Sequence, residues 1–385
     1  MKRIAILTFI KTGNYGGDLQ SFALQKKISS MGYNVEVINQ LRPTNKEFIK
    51  SNDFKQIYIF DDKISKKGKF NSIVSNFLNK LFSLFLFKRN KKKEERFASF
   101  ENHINLTKQI FYNYNQLYDS NLDYDIYIVG SDQVWDFNNS FSVEPYFLTF
   151  VKGKKKISYA ASIGHSVIPE SVQFIYKKWL EDFDFISTRE EKAAELLNKI
   201  TGREIKTVLD PTFLLTKEEW GKYAMNGEMY INKPYLLIYM LSESEYIIKL
   251  AKYIADLKKL QIIRIMSKTW TINSIHGIQN IYDGGPWEFI NLFKNASFVI
   301  TNSFHGTAFS INFNIPFFSV PKKNNKVNSR FLNILDKLNL SNRLIYDGDD
   351  LPDSNEIDMD FKESNILLEF YIKESLNFIE NSLKE

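Results

Sequence analysis

One stretch of the sequence combines a histidine with the features of an anion-binding loop. Residues 299–310 read as a short buried strand, a polar turn and the start of a helix that contains His305. Ligands of parallel α/β sheets bind outside the carboxyl ends of the strands, where helix N-terminal amides attract anions. A histidine there titrates near neutral pH and can exchange a proton with a bound substrate. The alternative interpretation is a helix-capping or core histidine.

Polar or glycine-rich turns follow the first predicted strand and four later ones, as expected where a parallel sheet builds a ligand crevice. Arg189 follows one of these strands, and a guanidinium there grips a carboxylate or phosphate in two places. A salt bridge with Glu190 or Glu191 is the alternative for Arg189. The other turns supply the following candidates: Asn14, Tyr15, Gly16, Gly17 and Asp18 after the first strand, then Ser131, Asp132 and Gln133, and finally Ser162 and His165.

The elements that must position these residues form two α/β units. The first begins with an apolar strand, a glycine-rich loop and the helix 19–31; the second begins at Pro234. We therefore predict an α/β protein with an N-terminal Rossmann-like domain (1–225), a C-terminal Rossmann-like domain (226–345) and a tail with a helix that packs back across both (346–385). At 385 residues two domains are the natural expectation.

Composition excludes several classes of site. The chain has no cysteine, so disulfides, thiolate catalysis and cysteine-bound metals are excluded. Its four histidines show no HxxxH spacing, and no carboxylate cluster demands a metal, so we predict none. The N-terminus lacks the length and cleavage site of a signal peptide, which indicates a cytoplasmic protein.

A basic, amphipathic helical insertion is predicted at about 60–100. Its apolar run is too short to span a bilayer, but lysines and arginines flank it on both sides. One interpretation is peripheral contact of residues 63–93 with the inner, anionic face of the membrane. The other is a buried or oligomer-interface helix with a solvated basic loop. Nucleic acid binding is not expected, because the charge is not interleaved with stacking residues over a large face.

Six motifs in order resemble the polysaccharide pyruvyl transferase family over roughly residues 4–345. They are the NYG-x-x-LQ-x-x-AL signature at 14–24, GSDQVW at 130–135, YAASIG at 159–164, STRE at 187–190, LDPT at 209–212 and TNSFHGT at 301–307, with NSR at 328–330 following. The resemblance implies a GT-B-like arrangement with the active site in the interdomain cleft. It also implies transfer of pyruvate from phosphoenolpyruvate to a sugar, which leaves a cyclic ketal.

The sequence departs from the family at one donor-binding position. Relatives place the donor near the arginine of the S-x-R-E motif, here Arg189, and near an R-x-H motif. Ser303 stands at the arginine of the second motif, and only His305 remains. Either Arg330 or a lysine of the 322–326 loop replaces the missing cation, or the donor and the reaction differ.

The reaction assigns roles to the candidates. We expect His305 to exchange the proton and Asp132 and Asp18 to orient or deprotonate sugar hydroxyls; a helix cap is the alternative for both aspartates. The expected donor-binding residues are Arg189, Arg330, Ser303, Asn302, Gly306 and Thr307. The expected acceptor-binding residues are Asn14, Tyr15, Gly16, Gly17, Ser131, Gln133, Ser162 and His165.

Phosphoenolpyruvate is expected as the donor substrate, with no further cofactor. The expected acceptor is a saccharide of a surface polysaccharide, such as a capsule or exopolysaccharide, or its lipid-linked precursor. Two alternatives remain open. One is a GT-B glycosyltransferase that uses a nucleotide sugar, and the other is an inactive binding protein of the same fold.

Overall fold

The computed structural model describes residues 2–43, 45–49, 78–137, 144–227, 229–266, 274–323 and 329–385; within 78–88 and at 329 only the backbone is described. The predicted helical insertion at 60–100 therefore lies partly outside the described residues. No helix in the described ranges is long and apolar enough to cross a bilayer.

The N-terminal half is built on a five-stranded parallel sheet of order β3-β2-β1-β4-β5. Its strands are β1 (Arg3–Leu7), β2 (Asn34–Gln40), β3 (Leu106–Phe111), β4 (Ile126–Val129) and β5 (Lys155–Ser158). Its helices are α1 (Tyr15–Ser30), α2 (Leu78–Glu101), α3 (Asn115–Tyr118) and α4 (Glu170–Leu180). A two-stranded sheet of β6 (Ser187–Thr188) and β7 (Lys206–Thr207) follows, with α5 (Glu191–Thr201) between its strands and α6 (Lys217–Ala224) after it.

The C-terminal half repeats this arrangement with the sheet order β10-β9-β8-β11-β12. Its strands are β8 (Tyr235–Met240), β9 (Gln261–Met266), β10 (Ile278–Ile281), β11 (Phe298–Thr301) and β12 (Phe317–Ser319). Its helices are α7 (Glu245–Lys258), α8 (Pro286–Lys294), α9 (Phe304–Asn312) and α10 (Ser329–Lys337), and the long helix α11 (Lys362–Lys384) ends the chain. The strands pair in parallel throughout, and most of their side chains are buried because helices cover both faces.

The two sheets place corresponding loops toward one another. In each sheet the strand order reverses between the first strand and its neighbour, which are β1 and β4 in one half and β8 and β11 in the other. Loops that leave these strands spread apart at the carboxyl end of the sheet and open a crevice. The loops after all four strands contribute to one cleft between the halves.

The two halves share a continuous hydrophobic core. The Tyr15 ring, at the start of α1, stacks on Phe289 of α8 with ring centroids 4.7 Å apart. Its hydroxyl donates to the backbone oxygen of Gly284 at 2.8 Å. Helix α11 returns to the N-terminal half, where Ser375 Oγ accepts a 2.9 Å hydrogen bond from the Leu209 amide. The domain boundaries near 225 and 345 remain predictions.

Candidate active site

The cleft between the halves has a volume of about 260 Å³. This is at the small end of ligand pockets and suits a compact substrate. The N-terminal half contributes Asn14, Asp132 and Gln133 to its lining. The C-terminal half contributes Leu241, Ser242, Asn302, Ser303, Phe304, His305, Pro321, Lys322, Arg330 and Phe331.

His305 is held at the first turn of α9. Ser303 caps this helix, since its hydroxyl accepts from the Gly306 amide at 3.4 Å. The Gly306 position is crowded, because a Cβ there would lie 2.3 Å from the Thr301 hydroxyl oxygen. Asn302 fastens the preceding turn to the loop after β8 by accepting from the Leu241 amide at 2.7 Å. The backbone around His305 is therefore fixed from both sides.

The imidazole of His305 lies between the two halves of the molecule. Its side chain is largely buried, and Nε2 lies 3.7 Å from Asp210 Oδ2 with no hydrogen-bond partner of its own. The ring presses against the first turn of α1: a Cβ at Gly16 would lie 2.0 Å from His305 Nδ1. Position 16 therefore requires glycine, because any larger side chain would overlap the imidazole of His305.

Asp210 is the centre of a buried charge cluster. Its Oδ2 accepts from Arg189 Nη1 at 2.7 Å and from the Ser131 hydroxyl at 3.1 Å. Its Oδ1 accepts from the amide and the hydroxyl of Thr212 at 3.0 and 2.8 Å. Burial alone raises the pKa of Asp210, but His305, Arg189 and the Thr212 amide outweigh it and hold the pKa well below its usual range. Asp210 is therefore a fixed carboxylate.

Arg189 belongs to this cluster rather than to the cleft lining. Its Nε donates to Glu190 Oε1 at 3.3 Å, and the Phe304 ring covers its guanidinium with the ring centroid 4.6 Å from Cζ. Burial alone lowers the pKa of Arg189, but Glu190, Asp210 and Asp132 raise it overall. Nη2 of Arg189 and Oε2 of Glu190 are buried without hydrogen-bond partners. The predicted salt-bridge alternative is thus present in the structure, and donor binding by Arg189 remains a prediction.

Arg330 and Lys322 supply positive charge directly to the cleft. Arg330 is the second residue of α10, and its Nε is buried without a hydrogen-bond partner. Burial, with the nearby Arg189, lowers the pKa of Arg330, while Glu190, Asp132 and Asp136 oppose the shift. The neighbouring Lys323 does not line the cleft, and its Nζ lies 2.7 Å from Asp349 Oδ1. Arg330 and Lys322 both line the cleft, and their role as replacements for the cation that Ser303 does not provide remains a prediction.

The loop after β4 forms the opposite wall. Asp132 has a positive φ of 76°, and its Oδ1 accepts from the Gln133 amide at 2.9 Å. This local hydrogen bond fixes the orientation of the carboxylate. Asn14 caps α1 through Gly16 at 3.0 Å. Among the described residues, no group of three or more histidines and carboxylates could hold a metal ion.

The family model for polysaccharide pyruvyl transferases matches residues 14–324, which is most of the chain and includes the cleft residues from Asn14 to Lys322. The chain belongs to this family. No protein of curated function is significantly similar to it.

Three solved structures are similar to this family member over most of its length. A UDP-GlcNAc 2-epimerase from Neisseria meningitidis, bound to UDP-GlcNAc, matches with a TM-score of 0.51 and 9% identity, covering 100% of this chain and 99% of that one. A UDP-GlcNAc 2-epimerase from Methanocaldococcus jannaschii gives 0.49, 12% identity and coverages of 97% and 93%. An Arabidopsis thaliana UGT protein complexed with UDP-L-rhamnose gives 0.45, 13% identity and coverages of 100% and 94%. The chain has the GT-B fold of two Rossmann-like domains, as predicted.

Several predicted site residues of this pyruvyl transferase family member lie behind the cleft. Ser162 donates to Glu190 Oε1 at 2.8 Å and Ser131 donates to Asp210, so both support the buried cluster. Thr307 is fully buried and contacts the Ser319 hydroxyl at 2.6 Å. Tyr15 is buried in the interface between the halves.

Three further predicted residues, His165, Gly17 and Asp18, lie outside the cleft lining. His165 contacts Asp136 through Nε2 at 2.9 Å, and Gly164 packs against Gln133 of the cleft wall. Gly17 lies near the same wall, since a Cβ there would be 3.5 Å from Asp132 Oδ2. Asp18 is buried and accepts from the Thr12 amide at 3.0 Å, while its Oδ2 has no partner. The roles predicted for these residues remain predictions.

Asp210 and Glu190 were not among the predicted site residues of this family member. Both stand in the recognised motifs LDPT and STRE, at the ends of predicted strands. In the sequence, each carboxylate is recognisable only as an acidic residue after a predicted buried strand. The same pattern is typical of helix caps, so it does not distinguish a site residue. Only the fold shows that both carboxylates converge on Arg189.

Proposed function

We propose that this protein transfers a pyruvyl group from phosphoenolpyruvate to two hydroxyls of a saccharide, forming a cyclic ketal. The observation that supports this most directly is the composition of the cleft. Arg330, Lys322 and the mostly buried His305 come from the C-terminal half, and they face polar groups of the N-terminal half. This arrangement suits a small polyanion that reacts with a polyhydroxyl partner.

The cations of the cleft suit the donor. Phosphoenolpyruvate carries a carboxylate and a phosphate, and a charge-assisted hydrogen bond to either is about twice as strong as a neutral one. Arg330 has a buried Nε free to donate, and Lys322 lines the same cleft. In this proposal the two replace the arginine that is absent at Ser303.

His305 suits the proton transfers. It gives a proton to the methylene carbon C3 while the first sugar hydroxyl bonds to C2 and returns a proton to the imidazole. The C2–O bond to phosphate then breaks and releases inorganic phosphate. The second hydroxyl bonds to C2, and its proton leaves on the phosphate. General acid–base catalysis of this kind contributes roughly 10²- to 10⁴-fold to a rate.

Asn14, Asp132 and Gln133 suit the acceptor. Their side chains line the wall opposite Arg330, and carboxylate and amide groups both hydrogen-bond sugar hydroxyls. The proposal includes a lipid-linked acceptor at the inner membrane surface. Within the predicted 63–93 contact segment, residues 63–77 lie outside the described residues, while Lys92 and Lys93 contact the C-terminal half.

The test is calorimetric titration with phosphoenolpyruvate, followed by detection of phosphate and pyruvylated saccharide. We expect saturable binding that weakens about 10- to 100-fold in Arg330→Ala and in Lys322→Ala, since each removes a charged hydrogen bond. The matched control is Lys323→Ala, because Lys323 pairs with Asp349. Binding of UDP-GlcNAc in place of phosphoenolpyruvate would overturn the proposal in favour of a glycosyltransferase.

A further inference from the structure

Asp210 and His305 come together only through the fold. Asp210 follows β7 and forms the cap of the 3₁₀ turn Pro211–Phe213, whereas His305 begins α9 in the other half of the molecule. The carboxylate has little freedom to turn away, because Ser131, Arg189 and Thr212 all donate to it. Its Oδ2 faces His305 Nε2 at 3.7 Å.

The two ring nitrogens of His305 have different surroundings. Nε2 is buried, and Asp210 is the acceptor that faces it. Nδ1 lies toward Gly16 at the first turn of α1, in a side chain that lines the cleft. A carboxylate beside one nitrogen of a histidine favours the proton on that nitrogen and leaves the other nitrogen to react.

Other charged groups surround the pair. Arg189, behind Asp210, offsets part of its negative charge, and Asp132, Lys322 and Arg330 reach the cleft from the loop after β4, the loop after β12 and helix α10. The first turn of α1 contributes a glycine backbone and no side chain at the point of contact. Among these groups, Asp210 is the anion aimed at the imidazole edge.

We propose that Asp210 is a positioning residue that holds the Nε2 proton of His305, so that Nδ1 is the nitrogen that exchanges the proton with the substrate. This inference rests on the proposed function for its catalytic consequence. Arg189 and Ser131 then act one step further back, by fixing the Asp210 carboxylate. In this proposal the 3.7 Å separation shortens to a hydrogen bond when the substrate binds, since catalytic contacts often tighten only in the complex.

The first measurement is the tautomer of His305 by ¹⁵N NMR of the full chain labelled on histidine. The sequence has four histidines, and His305→Gln identifies the signal. We expect the neutral ring to carry its proton on Nε2 in the wild type and to lose this preference in Asp210→Asn. The matched control is Asp184→Asn, which removes a carboxylate that accepts from the Lys156 amide at 2.7 Å. We expect it to behave as the wild type.

The second measurement is steady-state turnover of phosphoenolpyruvate. We expect Asp210→Asn to lower kcat roughly 100-fold or more while the KM for phosphoenolpyruvate changes less than about threefold. A proton on Nδ1 in the wild type would overturn the inference, and so would an unchanged kcat in a folded Asp210→Asn protein. The wild-type tautomer decides the matter even where Asp210→Asn does not fold. If the wild type carries the proton on Nε2 but does not bind or turn over phosphoenolpyruvate, the proposed function is refuted and the inference about the tautomer stands.

Discussion

At the scale of single residues, the imidazole of His305 is in close contact with the backbone of the opposite half. Gly16 of α1 and His305 of α9 meet with no space for a side chain at Gly16, as a Cβ there would also lie 2.2 Å from His305 Cγ. The packed ring cannot retreat without disturbing the turn held by Ser303 and Asn302. The position of the histidine therefore depends on a residue without a side chain in the opposite half.

We predict that Gly16→Ala displaces His305 and removes most activity. The added methyl overpacks the contact, which costs about 1–3 kcal/mol of the free energy of unfolding. Thermal unfolding and the rate of pyruvyl transfer measure the two effects. Gly221→Ala in α6 is the control, because a Cβ there meets only the flexible Lys294 Nζ at 3.3 Å, and alanine favours the helix. Equal activity of both variants would contradict the prediction.

Asp18 gives a pH-dependent prediction. Burial is the main cause that raises its pKa from 3.8 to about 7, and Glu101 adds to the effect. Because the folded pKa is the higher one, the folded state holds the proton more tightly, and the free energy of unfolding falls as the pH rises from about 4 to about 7. The variant Asp18→Asn stays neutral and lacks this loss.

We therefore expect the free energy of unfolding of Asp18→Asn to rise relative to that of the wild type as the pH increases. The relative gain between pH 4 and pH 8 is up to about 4 kcal/mol. Urea unfolding at several pH values measures it. The comparison of the two proteins cancels the titration of other groups. A difference that stays constant across this range would show that Asp18 does not titrate in the folded protein.

At the scale of elements, α2 fastens the two halves together. Arg96 contacts Glu288 Oε1 at 3.1 Å and Asp283 Oδ2 at 3.3 Å, and Lys92 also contacts Asp283 at 3.0 Å. Lys93 is buried and donates to the Met266 backbone oxygen at 3.1 Å. Part of the predicted basic segment therefore contacts protein, as in the second of the two interpretations of this helix. Membrane contact by the remainder stays a prediction.

We predict that Arg96→Ala lowers the free energy of unfolding by about 2 kcal/mol, because Glu288 is left buried without its cation. It should also speed hydrogen exchange of the amides around Gly284, where Tyr15 bonds to the other half. Lys91→Ala is the control on the same helix. Lys91 and its partner Glu95 have side chains 64% and 63% exposed, so the expected loss is below about 0.5 kcal/mol. Equal losses of unfolding free energy in the two variants would show that the Arg96 ion pairs do not hold the two halves together.

At the scale of the whole molecule, both halves contribute residues to one cleft. Helix α11 also connects the end of the chain to its beginning. Lys2 donates through Nζ to the Leu383 backbone oxygen at 3.2 Å. Ile379 and Leu383 are fully buried in the core that runs through both halves. The last helix is thus part of the hydrophobic core that both halves share.

We predict that Leu383→Ala lowers the free energy of unfolding by about 2–4 kcal/mol, since it opens a cavity in a closed core. The control is Ile366→Ala on the same helix, where the side chain is 64% exposed and the expected change is within about 0.5 kcal/mol. Chemical denaturation of the full chain measures both. A Leu383→Ala protein as stable as the wild type would mean that α11 packs only loosely.

The sequence by itself determined the architecture and the local setting of His305, at the start of a helix after a buried strand. Apolar strands followed by polar turns predicted two parallel α/β units, and the motif around His305 predicted a loop at a strand end, because both signals are local in the chain. Element limits were less accurate: the predicted helix 19–31 is α1, Tyr15–Ser30, which begins four residues earlier because Asn14 caps it.

The tertiary structure decided which side chains meet. Arg189 was open to two interpretations on sequence alone, and the fold pairs it with Glu190 and with Asp210, 21 residues away, beneath Phe304. The contact of Gly16 with His305 spans both halves and leaves no trace in residue spacing. Such pairs depend on how two sheets pack, and local periodicity carries no information about distances between segments that are remote in the chain.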